Sequence, residues 1–255
     1  MRIIITDGST EIKYKKTQFT PINVPPTTYY VPEYAQDRPA ARTILRGFMY
    51  EQLTHSFIQH ICATYPGNSM IHAGTFFGDM LPSFSAANAD GKVYAFEPVL
   101  ENYFLANMCV QTNKLANVSL FNGALSNEVG TLLIDTVLQE KHAGGASKIS
   151  DTGLVCTSYT IDMFDIKDIV LIHLDVEGWE ARALQGAMKT LKKKRPILAL
   201  EDYNVSCMEL LEGIDYELVG EIPGLKLWAP SDNPDYIKTI NEFLARERAR
   251  GTLTS

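Results

Sequence analysis

From residue 69 to residue 200 the chain alternates short apolar runs with amphipathic stretches, and that alternation leaves few folds open. Residues 69–73, 92–96, 118–121, 169–174 and 197–200 have the length and apolar continuity of buried strands. Between them, 78–88, 101–113 and 179–191 carry apolar residues at helical spacing. Strands that alternate with helices build βαβ units on a parallel sheet. Right-handed crossovers then wind that sheet in both directions. Residues 131–136 and 155–160 interrupt the rhythm as a hairpin-like insertion. After a helix centred on Leu210, strands at 216–219 and 226–228 are split by Pro223-Gly224, and a last helix starts near Pro234. The expected class is α/β, a Rossmann-like doubly wound and mainly parallel sheet with an antiparallel edge.

Residues 1–42 have a different texture. Prolines at 21, 25, 26, 32 and 39 rule out a continuous helix or a central strand, because proline lacks an amide donor and fixes φ. The segment is expected to be an extended arm with one or two short edge strands, pinned by Tyr29, Tyr30 and Tyr34. Residues 43–255 form the main domain, with Thr43 capping its first helix. Laid over a neighbouring subunit, such an arm would make a homodimer.

A net charge of −7 opposes the phosphate attraction behind nucleic-acid binding. No apolar run approaches the roughly 18 residues of a membrane span, and three isoleucines after Arg2 are too few for a secretory core. The cysteines at 62, 109, 156 and 207 have no metal-type spacing and read as reduced thiols. A cytoplasmic setting is expected, and with it no glycans at the N-x-S matches of Asn117 and Asn204. His55 and His60 share no helix face, and Asp162, Asp165 and Asp168 read as turn and cap residues, so no metal is expected.

In a doubly wound sheet, ligands bind beyond the carboxyl ends of the strands. The first strand runs into His72-Ala73-Gly74-Thr75-Phe76-Phe77-Gly78-Asp79. Gly74 and Gly78 permit a tight turn near a ligand. Their G-x-x-x-G spacing is not the G-x-G-x-x-G of a pyrophosphate site, which weighs against a nicotinamide or flavin oxidoreductase. The second strand ends at Glu97-Pro98, 19 residues after Gly78, where a carboxylate is placed to accept from ribose hydroxyls. The strand from Ile169 ends in His173-Leu174-Asp175-Val176-Glu177-Gly178-Trp179-Glu180. Three carboxylates and a histidine at one strand end suit catalysis, while helix capping would account for any single acid.

This segment, with Ala183-Leu184-Gln185-Gly186-Ala187, resembles the "K-I-D-V-E-G-F-E…L-x-G-A" block of the FkbM-type methyltransferases. Ala95 to Pro98 with Asn102, Asn122 to Ser126, Tyr159 to Asp162, and Glu201 match in order and spacing, and the similarity covers roughly 69–202. The resemblance implies a class I methyltransferase with S-adenosylmethionine as cofactor and a hydroxyl of a small molecule or glycan as acceptor. It places the Gly74–Asp79 turn at the cofactor's amino-acid end, Glu97 and Pro98 with Asn102 at the ribose, Gly123 and Ala124 near the adenine, and Asp175 near the sulfonium. Where the family reads "D-x-G-A-N-x-G", this chain has His72, Thr75 and Phe76, and His173 stands where lysine is usual. These departures suit an alternative, a non-catalytic binding or scaffold protein.

A hydroxyl acceptor needs its proton removed. His173 is the first candidate base, because imidazole titrates near neutrality, and Asp175 or Glu177 would orient or replace it. The Gly-rich loop around His142 is a candidate lid.

Overall fold

The computed structural model describes residues 2–4, 11–21, 24–201 and 205–253. The arm is a three-stranded antiparallel sheet of β1 (Arg2–Ile4), β2 (Glu11–Phe19) and β3 (Thr27–Pro32). Two helices follow, α1 (Pro39–Leu45) and α2 (Gln52–Thr64). The expected single helix from Thr43 is thus broken at Gly47, whose φ is +82°. Thr43 does not cap it: the hydroxyl donates to the carbonyl of Pro39 inside α1.

The central sheet begins with β4 (Ser69–Ala73), α3 (Leu81–Ala87), β5 (Val93–Glu97), α4 (Leu100–Thr112) and β6 (Val118–Asn122). The insertion holds β7 (Ala124–Leu125), β8 (Gly130–Asp135), β9 (Val137–Leu138), β10 (Lys141–His142), β11 (Lys148–Ser150) and β12 (Leu154–Tyr159). The chain returns through β13 (Ile169–Leu174), α5 (Glu180–Gln185), α6 (Met188–Lys193) and β14 (Ile197–Leu200). It closes with α7 (Val205–Glu212), β15 (Tyr216–Ile222), β16 (Leu225–Pro230) and α8 (Pro234–Ala249). The expected helix at 179–191 is two helices, α5 and α6, separated at Gly186, where a Cβ would overlap the carbonyl of Ser126. Asp162 supplies the cap of the second, accepting from the amides of Lys189 and Thr190, each at 2.8 Å.

Seven strands order as β15-β16-β14-β13-β4-β5-β6, parallel from β14 to β6 and antiparallel at the β15–β16 edge. Helices α2, α3 and α8 cover one face and α5, α6 and α7 the other, giving a three-layer core. The winding reverses between β4 and β13, and such a switch point opens a crevice at the carboxyl ends. The arm packs on α4: Tyr30 bonds Thr112 at 2.8 Å, and Tyr34 donates to Asn102 at 2.8 Å. All four cysteines are buried, and none forms a disulfide. Asn117 spends its side-chain amide on the carbonyls of Ser85 and Asn88. Asn204 lies outside the described residues.

Two of the four departures from the family pattern prove to be neighbours. His72 on β4 pairs in register with His173 on β13, and their Nδ1 atoms are 2.8 Å apart, so one ring donates and the other accepts. Both rings are buried beside Phe84 of α3. A neutral pair thus stands where the resemblance would put an acid and a lysine, and each substitution removes the need for the other. Replacing His173→Lys alone should bury an unpaired ammonium and cost about 3–5 kcal/mol, or roughly 6–20 °C at about 2–4 °C per kcal/mol. Adding His72→Asp should return at least half of that loss in a thermal melt. A double variant no more stable than the single one would show that the pairing is incidental.

Candidate active site

Two cavities meet at the switch point. The first is a cleft, partly open to solvent, with about 480 Å³ free of protein atoms. Its walls are Gly74 after β4, Glu97-Pro98 at the end of β5, Gly123-Ala124 after β6, and Asp175 to Glu177 after β13. Ile134, Ile149 and Gly145 of the insertion close it, with Trp179 alongside. The Gly-rich loop therefore lies on the cleft. Gly144 and Gly145 lie against Phe76, where a Cβ on Gly144 would overlap that of Ala35 and one on Gly145 would crowd the Phe76 ring, and Asn102 donates to the carbonyl of Gly144 at 3.3 Å.

Glu97 organises the cleft. Its Oε2 accepts from the amide of Phe76 at 2.7 Å, and its Oε1 from the amide of Val99 at 2.9 Å and the Asn102 amide at 3.3 Å. Burial pushes its carboxyl up to about 8, while these donors pull it the other way. A carboxylate offers about four acceptor positions, so one remains for a ligand donor. Pro98 turns the chain and sits beside it on the wall.

The second cavity has about 820 Å³ free of protein atoms and lies on the α2 side of Gly74. Its lining holds five carboxylates, Glu51, Asp79, Asp175, Glu177 and Glu201, against one guanidinium, that of Arg38. Glu51, Phe76 and Glu177, all on this wall, have φ of +51°, +49° and +57°, strain that concentrates at functional sites. Burial raises Asp175 well above the usual carboxylate range, and a hydrogen bond with Glu201 and the charges of Glu201, Glu51 and Glu177 add to it. Burial, opposed by Asp79's own amide and aided by Glu51, pushes Asp79 up to about 7. Glu177 is raised by burial and by Glu201, with Lys148 3.8 Å away acting against it.

The expected residues therefore divide. Gly74, Glu97, Pro98, Gly123, Ala124, Asp175 and Glu177 border the cleft, and Gly74, Asp79, Asp175 and Glu177 border the acidic cavity. Asn102 reaches the cleft through Glu97. His72, Thr75 and Gly78 line neither cavity. Gly78 faces Ala106 of α4, where it permits close helix packing, and Thr75 is buried with its hydroxyl unpartnered. Gly74 owes its glycine to a strand contact: a Cβ there would overlap the carbonyl of Asp175.

His173, expected to face an acceptor, lines neither cavity either. Along β13 alternate residues face opposite layers, and His173 falls on the α2–α3 side, fully buried and bonded to His72. Its ring has no exposed surface and spends Nδ1 on the His72 ring. Glu180 likewise serves the backbone, accepting from the amides of Val176 at 3.0 Å and Gly178 at 3.3 Å. His142 stacks on Tyr34 at 4.1 Å between centroids, joining the arm to the insertion. Sequence reasoning did not single out Arg38, Glu51 or Trp179 as site residues. Arg38 and Glu51 arrive from separate loops that no spacing along the chain ties to the strand ends, whereas Trp179 stands in the segment after β13 and could have been found there.

Burial drives both imidazoles down, His173 to about 3 and His72 well below its ordinary value, with mutual repulsion between their charged forms adding to the effect on His72. Below about pH 6.5 the unfolded chain takes up protons that the folded chain refuses. Their contribution to stability is therefore complete above that pH and declines as pH falls toward the folded values. Imidazole NMR signals of His72 and His173 should stay those of neutral rings from pH 8 to 5. A midpoint near 6.5 for either would mean that the pair opens to water.

A model of the methyltransferase FkbM domain matches residues 72–223. Among solved structures, the methyltransferase FkbM from Methylobacillus flagellatus KT is 20% identical, with 64% of this chain and 43% of that one covered at a TM-score of 0.46. The chain thus spans less than half the length of that protein. An S-adenosylmethionine-dependent O-methyltransferase from Thermotoga maritima is 19% identical, with 68% and 54% covered at 0.44. A precorrin-6y C5,15-methyltransferase from Geobacter metallireducens GS-15 is 12% identical, with 67% and 75% covered at 0.44. No curated protein sequence matches the chain.

Proposed function

Because the chain belongs to the FkbM methyltransferase family, whose domain spans residues 72–223, we propose that it transfers the methyl group of S-adenosylmethionine to a hydroxyl of a small molecule or sugar. The observation that carries this reading is the shared wall: Gly74, Asp175 and Glu177 border both the cleft and the acidic cavity. A donor beside Glu97 and an acceptor among the carboxylates would meet across it, and methyl transfer depends first on such alignment.

The cleft fits the donor. Glu97 keeps an acceptor position for a ribose hydroxyl and is fixed by two amides and Asn102. Gly123 and Ala124 leave the wall after β6 free of bulky side chains, with Ile134 and Ile149 above it, which suits a flat ring. Bound there, S-adenosylmethionine supplies an electrophilic methyl on a cationic sulfonium. Asp175 at the common wall favours positive charge nearby, because its own ionised form is held unstable by Glu201, Glu51 and Glu177.

Loss of the hydroxyl proton to a positioned base contributes about 10²–10⁴-fold. The carboxylates of the acidic cavity take the place expected for His173, because they face the space an acceptor would fill. The alternative of a scaffold protein drew on the altered first strand. The His72–His173 bond supports a packing reason for that alteration, one independent of the cleft.

Thermal unfolding tests the donor assignment. S-adenosylmethionine or S-adenosylhomocysteine at about 100 times its Kd should stabilise the protein by roughly 2.7 kcal/mol, or about 5–10 °C, and NAD should not. Glu97→Ala, if still folded, should abolish the shift at the same ligand concentration. An unchanged shift in that variant would remove Glu97 from the ribose. Binding without methyl transfer to any hydroxyl-bearing sugar or small molecule offered would favour the scaffold reading.

A further inference from the structure

Glu201 follows β14, while Asp175 and Glu177 follow β13, and the parallel pairing of those strands brings the three acids together. Each presents a carboxylate oxygen that lies within 4.8 Å of the other two. Ligands around one ion lie at most two bond lengths apart, about 4.1 Å for Mg²⁺ and about 4.6–5.2 Å for Ca²⁺. Three oxygens this close together match the ligand spacing around a hard divalent cation to within small side-chain rotations.

An acidic cluster alone is common on proteins. A second observation marks this one. Asp79, from the loop before α3, lines the same cavity and is only 7% exposed. Its carboxylate meets no donor of any other residue among the described contacts, and Glu51 opposite it is a further acid. A carboxylate so buried, and met only by its own amide, costs stability unless a cation or donor enters the cavity. The cations at hand do not fill that role. Lys148 reaches only Glu177, at 3.8 Å and from a largely exposed position, and Arg38 stands at the rim as the single guanidinium.

We propose that Asp175, Glu177 and Glu201 bind one hard divalent cation, of the Mg²⁺, Mn²⁺ or Ca²⁺ class, on the acceptor side of the cleft. Oxygen-only ligands select such ions over the softer transition metals. This inference rests on the acidic cavity being the acceptor side, as in the reading above, but the binding itself is measurable without any methyl acceptor.

The test is a titration of the full chain, stripped with EDTA, with Mn²⁺ followed by the loss of the free-ion EPR signal. One saturable site per chain is expected, with Mg²⁺ or Ca²⁺ competing for it. Glu201→Gln and Glu177→Gln, each shown folded by a cooperative melt, should weaken Mn²⁺ by roughly tenfold or more, the scale on which even outer partners of a metal act. Glu217→Gln on the exposed edge of β15 should leave binding unchanged. No saturable binding in the parent protein, or equal binding in Glu201→Gln, overturns the proposal. S-adenosylhomocysteine binding measured in parallel separates the failures: its presence without Mn²⁺ binding rejects the metal and keeps the donor cleft, and the reverse keeps the metal and rejects the cleft. A Glu201→Gln variant that loses S-adenosylmethionine affinity, in a protein that binds no Mn²⁺, would instead assign the acids to the cationic sulfonium.

Discussion

The site depends on one close contact of backbone with backbone, where β4 and β13 leave the sheet side by side. Past the last paired residues, the amide of Asp175 still donates to the carbonyl of Ala73 at 3.1 Å, and the amide of Glu201 to that of Leu174 at 2.8 Å. The chain after β4 must turn away at this point, and Gly74 turns it with φ at +91°. Any side chain at Gly74 would occupy the position of the Asp175 carbonyl. Both cavities border Gly74 and Asp175, so the spacing of these two strand ends sets the distance between whatever occupies each side.

Electrostatics follows from that geometry. Parallel strands deliver their carboxyl-terminal residues to one edge, so acids that follow three different elements converge there without being near in sequence. Like charges in a partly buried space raise one another's pKa values and disfavour full ionisation. The chain tolerates this because two of its other buried acids are satisfied by backbone amides: Glu97 by Phe76 and Val99, and Glu180 by Val176 and Gly178. The unsatisfied acids face the cavity. That division separates carboxylates that hold the protein together from those open to a ligand.

Much of the fold is legible along the chain, because a buried parallel sheet writes itself as short apolar runs with helical periods between them. The five parallel strands, the insertion and the antiparallel edge all follow from that pattern. Helix breaks are less legible. Gly47 and Gly186 interrupt stretches whose apolar spacing runs on through them, and only the approach of the Ser126 carbonyl explains the second. In the cluster after β13, spacing could not separate Asp175 and Glu177, which face cavities, from Glu180, which bonds amides of the preceding turn. His173 was the most attractive base by chemistry, yet strand parity and the facing His72 hold it in the core.

By itself the sequence determined the order of strands and helices, the positions of the strand ends and the family to which the chain belongs. These depend on local period and on residues in fixed succession. Only the tertiary structure decided which of the charged and aromatic residues stand together: Arg38 and Glu51 from the segments around α1 and α2, Asp79 from before α3, and Glu201 from after β14. Their proximity is a property of sheet order and register, set by hydrogen bonds between strands far apart in the chain. The same register turned two separate anomalies, His72 and His173, into one buried pair, which no reading of either position alone could have shown.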